Sequence, residues 1–150
     1  MKMKFFRGNS SFNSKYLFLS VSQFLLGLTI SSRGFFWLFH QNDVIKDSVF
    51  YAKLHTVMPI WLWGLIILIT GIFIMLSALY VPTIESRNIF FKLTMIGGSS
   101  SFIFYFIMLS ASMKNHINWL TPINFLILTV WTFAITVISV VELIGRRKQR

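Results

Sequence analysis

Apolar residues in this chain are gathered in four long runs separated by short polar segments. The clearest run covers residues 57–80, which carry no charge and would extend about 36 Å as a helix. The hydrocarbon core of a bilayer is ~30 Å thick, so this run is long enough to cross it with some tilt. The pattern therefore predicts four spans, at about residues 16–38, 57–80, 93–113 and 120–141.

Proline and threonine positions predict where two of these helices begin. Pro59 falls in the first turn of the second span, with Thr56 before it as a candidate N-cap. Thr121 and Pro122 repeat the arrangement at the fourth span. In lipid no water is present to bind the backbone, and an α-helix makes all of its backbone hydrogen bonds within one segment. We therefore predict an all-α fold, in which residues 1–150 form a single domain, an integral membrane four-helix transmembrane bundle.

The distribution of Lys and Arg predicts the orientation of the bundle. Cytoplasmic loops carry an excess of basic residues. Ten of the 14 basic residues lie in the N-terminal segment, the second loop and the tail, namely Lys2, Lys4, Arg7, Lys15, Arg87, Lys92, Arg146, Arg147, Lys148 and Arg150. The opposite side has Arg33, Lys46, Lys53 and Lys114. We predict a multi-pass protein of the bacterial cytoplasmic membrane with both termini cytoplasmic.

Composition narrows the choice of partner. Charged residues make up only 12% of the chain and hydrophobic residues 55%, yet the formal net charge is +10. A basic balance can indicate nucleic-acid binding when it forms a patch on one face. Here the basic residues flank apolar runs at the chain ends, so the expected partner is a bilayer with anionic headgroups, not nucleic acid.

Small and hydroxyl residues recur along each run and predict where helices meet. In lipid, such residues allow close approach between helices. The candidate helix-packing or oligomer positions are Gly27, Gly64, Gly71, Ala78, Gly97, Ser101, Thr129, Thr132 and Thr136. Either these stripes hold the bundle together, or one of them faces a second copy or another membrane protein.

Aromatic residues near the expected outer interface form a second group of candidates. Tryptophan prefers the membrane–water boundary, where its amphipathic ring is best solvated. The candidate outer-face contacts are Trp37, His55, Trp61, Trp63 and Trp119.

The sequence has few residues in arrangements that could support catalysis or metal binding. No ionisable residue lies well inside any run, Arg33 and Glu142 being placed at span ends, and there is no cysteine. The histidines His40, His55 and His116 lack ligand spacing, and no GxSxG motif is present. We therefore expect no catalytic residues, no metal and no cofactor, and interpret the chain as a non-enzyme.

One segment resembles a known group of proteins. Residues 53–64, KLHTVMPIWLWG, followed by Gly71, are similar to small polytopic membrane proteins of bacteriophages and prophages of Gram-positive bacteria. The start MKMK and the basic tail from Gly145 resemble those of phage holins, although most holins have fewer than four spans.

Three functions follow from these patterns. The first is a non-enzymatic accessory membrane protein that acts by helix packing with itself or an envelope partner, as in phage exclusion or immunity. The second is a holin-like oligomeric pore. The third is a small channel or transporter subunit, with Gln23, Thr129 and Thr132 as candidate lining residues.

Overall fold

The computed structural model describes residues 14–47, 49–80, 87–115 and 119–147. They form α1 Ser14–Phe39, α2 Gln41–Asp47, α3 Val49–Val57, α4 Ile60–Leu79, α5 Arg87–Asn115 and α6 Leu120–Arg147. No strand occurs in these four stretches. The predicted all-α class is therefore confirmed for the part of the chain that is described.

Three helices are long and apolar enough to cross a membrane: Ile60–Leu79 of α4, Asn88–Lys114 of α5 and Leu120–Arg146 of α6. They make the fold compatible with a membrane protein. The first predicted span lies in α1, which has 26 residues but is not among the three. Its serines, Gln23 and Arg33 lower its hydropathy, so the expectation of four spans is met only in part.

Neighbouring long helices run antiparallel. Ser20 Oγ near the start of α1 donates a hydrogen bond to the Ala78 carbonyl near the end of α4, at 2.8 Å. Arg146 Nη1 near the end of α6 donates to Asn88 Oδ1 near the start of α5, at 3.3 Å. With α4 and α5 also in contact, the start of α1 and the end of α6 lie at one end of the bundle. The short helices α2 and α3 lie at the other, which we call the α2–α3 end.

The closest contact in the bundle joins α1 and α4 through two pairs of glycines. A Cβ atom on Gly27 would come within 2.6 Å of the Met75 nitrogen, and one on Gly64 within 2.7 Å of the Leu38 nitrogen. Hypothetical Cβ atoms on Gly34 and Gly71 would meet backbone of the opposite helix as well. Because these neighbours are backbone atoms, they cannot move aside as a flexible side chain can. Only glycine allows the two helices to approach this closely.

Two further glycines lie where α5 meets its neighbours. A Cβ on Gly97 would come within 2.8 Å of Ile74 Cγ1 of α4, and one on Gly98 within 2.6 Å of Thr136 Oγ1 of α6. Buried residues of α4 and α5, including Ile67, Ile74 and Met108, form the apolar core between them.

The start of α4 differs from the sequence prediction. Pro59 is the N-cap residue itself, with φ −52° and ψ 138°, and the helix begins at Ile60. Thr56 does not cap α4, because it belongs to α3, where its hydroxyl donates to the Lys53 carbonyl at 2.6 Å. The residue before a proline avoids helical geometry, so the chain breaks here instead of continuing from residue 57.

Two side chains stabilise this break. Trp63 Nε1 donates to the Met58 carbonyl at 3.0 Å, and His55 Nδ1 accepts from the Ile60 backbone N–H at 3.4 Å. Each bond satisfies a backbone group that the break leaves without a helical partner. The segment 53–64 is therefore a helix–proline–helix corner.

The last two long helices extend beyond the predicted apolar runs. Helix α5 begins at Arg87 rather than near residue 93, and α6 ends at Arg147 rather than near residue 141. Helix α6 already includes Thr121, so the cap predicted there is wrong; the Trp119 carbonyl accepts the Ile123 N–H at 3.3 Å instead. In α6 the helix continues into polar sequence, where the ion pair between Arg146 and Glu142, 3.5 Å apart, supports the extension.

We expect Gly71→Ala to destabilise the bundle by about 1–3 kcal/mol, the usual cost of overpacking, because the added methyl group would meet the backbone of α1. Thermal unfolding in detergent measures the change. Gly145→Ala is the matched control, since nothing lies within 4 Å of its added Cβ. Equal melting temperatures for the two variants would contradict the close contact between α1 and α4.

Candidate functional site

All nine candidate packing positions lie at contacts within the chain. Gly27, Gly64, Gly71 and Ala78 lie between α1 and α4, and Gly97 faces α4 from α5. Ser101, Thr129 and Thr132 are buried, and Thr136 is half-buried beside Gly98. The described monomer therefore uses these stripes internally.

The hydroxyls of α6 are satisfied inside their own helix. Thr129, Thr132 and Thr136 each donate to the carbonyl four residues earlier, at 2.6, 2.7 and 2.7 Å. A hydroxyl bonded in this way has no donor left for a neighbouring helix or a permeating solute. In this conformation, Thr129 and Thr132 are poorly suited to line a hydrated path.

Other polar side chains in the interior lack such bonds. Gln23 Oε1, Thr94 Oγ1, Ser101 Oγ and Tyr105 OH are buried and have no hydrogen-bond partner among the described residues. Their residues are at most 5% exposed. Thr94, Ser101 and Tyr105 lie on one side of α5, so an unsatisfied polar line follows this helix toward the α2–α3 end. Buried polar groups without a hydrogen-bond partner are rare in folded proteins, so each of these four requires an explanation.

Arg33 lies where this polar line meets α1 and α6. Helix α1 continues six residues past Arg33, to Phe39, so Arg33 lies within the helix and not at its last residue. Its Cζ lies 5.1 Å from the centre of the Phe125 ring and 5.9 Å from that of Tyr105. One side chain of α1 thus touches both α5 and α6.

An aromatic cluster surrounds this cation. Phe50 of α3 lies 5.8 Å from Phe125, and Tyr105 lies 6.2 Å from Phe125, measured between ring centres. Tyr51 lies 5.4 Å from Trp37 in an edge-on arrangement. Because α3 supplies Phe50 and Tyr51, the short helices hold part of the cluster in place.

Arg33 has aromatic neighbours but no ion pair. None of the described acidic side chains forms a salt bridge with it, and its Nη1 atom is buried without an acceptor. A cation–π contact contributes ~0.5–2 kcal/mol and offsets only part of the cost of partly burying a charge that has no counter-ion. The arrangement therefore favours an anionic group beside Arg33.

A cavity of about 540 Å³ lies against this arginine. Its wall mixes polar and apolar side chains from α1, α2 and α3: Thr29, Ser32, Arg33, Asp43, Tyr51, Phe36, Trp37 and Val44. The volume is within the range of small-molecule sites. Opposite charges, Arg33 and Asp43, both line it.

The outer-face candidates divide into two groups. Trp37 and Trp63 are only 3% and 5% exposed, so the expectation that they offer an outer contact surface is wrong. Trp37 packs on Tyr51, and the Trp63 indole is bonded at the Pro59 break. His55 is exposed, as are Trp61 at 42% and Trp119 at 67%.

Metal chemistry has no site in the part of the chain that the structure describes. No three His, Asp or Glu side chains there are grouped so that they could hold an ion. His40 stacks on Phe36 at 5.1 Å between ring centres. His116 lies outside the described residues.

No family model, curated protein or solved structure matches this chain. The site is therefore interpreted from its own geometry.

Sequence reasoning missed two residues of this region. The prediction that Arg33 lies near the end of the first span, 16–38, gives no indication of its contacts with α5 and α6. Gly34 was omitted from the packing stripe of α1. Its separation from Gly27 equals the separation of Gly64 from Gly71, and this shared spacing would have identified the pairing.

We expect Arg33 and Phe125 to be energetically coupled. A double-mutant cycle of Arg33→Met and Phe125→Leu, read by thermal or denaturant unfolding, should give a coupling of about 0.5–2 kcal/mol, the range of cation–π contacts. Arg33→Met alone should not destabilise the ligand-free protein, because it removes an unpaired charge.

The matched control cycle combines Arg33→Met with Phe106→Leu. Phe106 is 53% exposed on α5, so its coupling to Arg33 should be close to zero. Additive effects of Arg33→Met and Phe125→Leu would show that the two side chains do not interact.

Proposed function

We propose that this chain is a four-span membrane protein with both termini in the cytoplasm. The contact between α1 and α4 supports the fourth span. From Ser20 to Gly34, α1 lies beside α4 over about 21 Å at 1.5 Å per residue. A helix that touches a spanning helix over this length shares its depth in the bilayer. The excess of basic residues at the chain ends supports the orientation.

We further propose that the protein acts by contact and not by catalysis. Its role would be that of an accessory protein that binds an envelope partner or a second copy, for example in phage exclusion. The observation that carries the proposal is that the glycine stripes are already used between its own helices. The contact surface then falls at the α2–α3 end, where Trp61 and Trp119 are exposed.

Because the glycine stripes are used between the protein's own helices, a holin-like pore is the less favoured function. A pore of several copies needs polar or small residues on an outward face. The outward side chains of α6 are instead large and apolar, including Val130, Ile138 and Val141 at 58%, 59% and 63% exposure. Such a face suits lipid.

The absence of cysteine allows the topology to be tested with single introduced thiols. We expect Lys53→Cys to react with a membrane-impermeant maleimide added to intact cells, because α3 would face outward. A cysteine in place of Gln149 should react only after the cells are permeabilised.

Labelling of both positions from the same side of the membrane would contradict the four-span topology. Val130→Cys, on the lipid-facing side of α6, serves as the unreactive control.

Controlled expression in a bacterial host tests the contact role. We expect growth and membrane potential to stay normal while plaque formation by a panel of phages falls severalfold. Trp61→Ala and Trp119→Ala should each reduce this protection, because they remove exposed aromatic anchors from the α2–α3 end.

The matched control is Trp131→Ala, since Trp131 is also exposed, at 46%, but lies within α6. A sudden loss of membrane potential on induction would instead favour the pore.

A further inference from the structure

The cavity beside Arg33 has the charges of a zwitterion's binding site. Arg33 is half-buried and has one nitrogen without an acceptor, whereas Asp43 is exposed. Both line the same cavity, yet no ion pair forms between them. A ligand that carries an anion and a cation a short distance apart would satisfy both residues.

The remaining wall fits the same ligand. Thr29 and Ser32 lie beside Arg33 on this wall, but their hydroxyls donate to the Leu25 and Thr29 carbonyls at 2.8 and 3.0 Å. The hydrogen bonds to phosphate oxygens would therefore come from the Arg33 guanidinium. Trp37 and Tyr51 place aromatic rings on the same wall, and aromatic faces attract ammonium groups. An anion next to Arg33 and an ammonium group next to Asp43 would each have suitable neighbours.

The surface below the cavity is apolar. Thr29, Ser32 and Phe36 lie on one exposed face of α1, and the same face continues toward the start of the helix through Leu25, Val21 and Phe18. These three are 53%, 46% and 76% exposed. From Thr29 to Phe18 the stripe is about 16 Å long, close to half of the ~30 Å hydrocarbon core.

From this juxtaposition we propose that the cavity binds the headgroup of a zwitterionic phospholipid, with its phosphate on Arg33, its ammonium group on Asp43 and an acyl chain along the α1 stripe. The inference rests on the four-span part of the proposed function, because an acyl chain can reach α1 only if α1 lies in the bilayer. It is independent of the contact role.

The contributions of the phosphate and the ammonium group to binding can be distinguished by the choice of lipid. Phosphatidylethanolamine has both the phosphate and the ammonium group, whereas phosphatidylglycerol has only the phosphate. We expect native mass spectrometry of delipidated full-length protein to show a preference for the first lipid of about fivefold or more, equivalent to ~1 kcal/mol. Phosphatidylethanolamine should also raise the melting temperature.

Asp43→Asn is the decisive variant, because Asp43 is exposed and its loss should not disturb folding. It should bind both lipids equally, with phosphatidylglycerol no weaker than before. Arg33→Gln should lose binding of both by about tenfold, and Lys46→Gln, which removes another positive charge from the α2–α3 end, should behave as wild type. If Arg33→Gln does not fold, Arg33→Lys should still prefer phosphatidylethanolamine but bind it more weakly.

A soluble headgroup distinguishes the source of the ligand. Glycerophosphoethanolamine lacks acyl chains and should not compete at concentrations where the lipid saturates, and Leu25→Ser should weaken only lipid binding. Full competition by the soluble compound would overturn the role of the stripe. Equal binding of both lipids by wild type, or an unchanged preference in Asp43→Asn, would overturn the site itself. Either failure leaves the thiol-labelling result for topology untouched.

Discussion

Backbone contact between α1 and α4 is the constraint on which the rest of the bundle depends. Four glycines in two facing pairs bring the helices so close that a single methyl group would collide with main chain. This contact keeps α1, which is not among the three helices apolar enough to span a membrane, beside an apolar neighbour along most of its length. It also fixes the height of Arg33 relative to α5 and α6, where Tyr105 and Phe125 receive it.

The sequence predicted the elements that depend on composition alone. Uncharged runs gave the positions of α4, α5 and α6, since no other structure satisfies the backbone of such segments. The seven-residue spacing of Gly64, Gly71 and Ala78 marked the α4 face that meets α1. Helix ends were less predictable. The start of α4 depends on Pro59 together with side-chain bonds of Trp63 and His55, each made to a residue five positions away, and the hydrophobic pattern does not encode these bonds.

The candidate site could not be predicted from the sequence, for a different reason. A lone arginine near the end of an apolar run usually extends toward the interface, and Arg33 lies near the end of the span predicted at 16–38. Its surroundings come from three other helices, through Phe50, Tyr105 and Phe125. Nothing in the spacing of these residues along the chain indicates that they meet. Trp37 and Trp63 were misplaced similarly, because membrane tryptophans more often face the interface than the protein interior.

The glycine pairs repeat at the same interval on both helices, and this restricts the register. Sliding α1 along α4 by one repeat, about 10 Å, would leave one glycine pair instead of two, because with Gly27 facing Gly64 the next glycine, Gly34, would face Val57, before the start of α4. The bond from Ser20 to Ala78 and the position of Arg33 among aromatic rings belong to the same alignment. Steric fit, a hydroxyl and a single charge thus favour one register together.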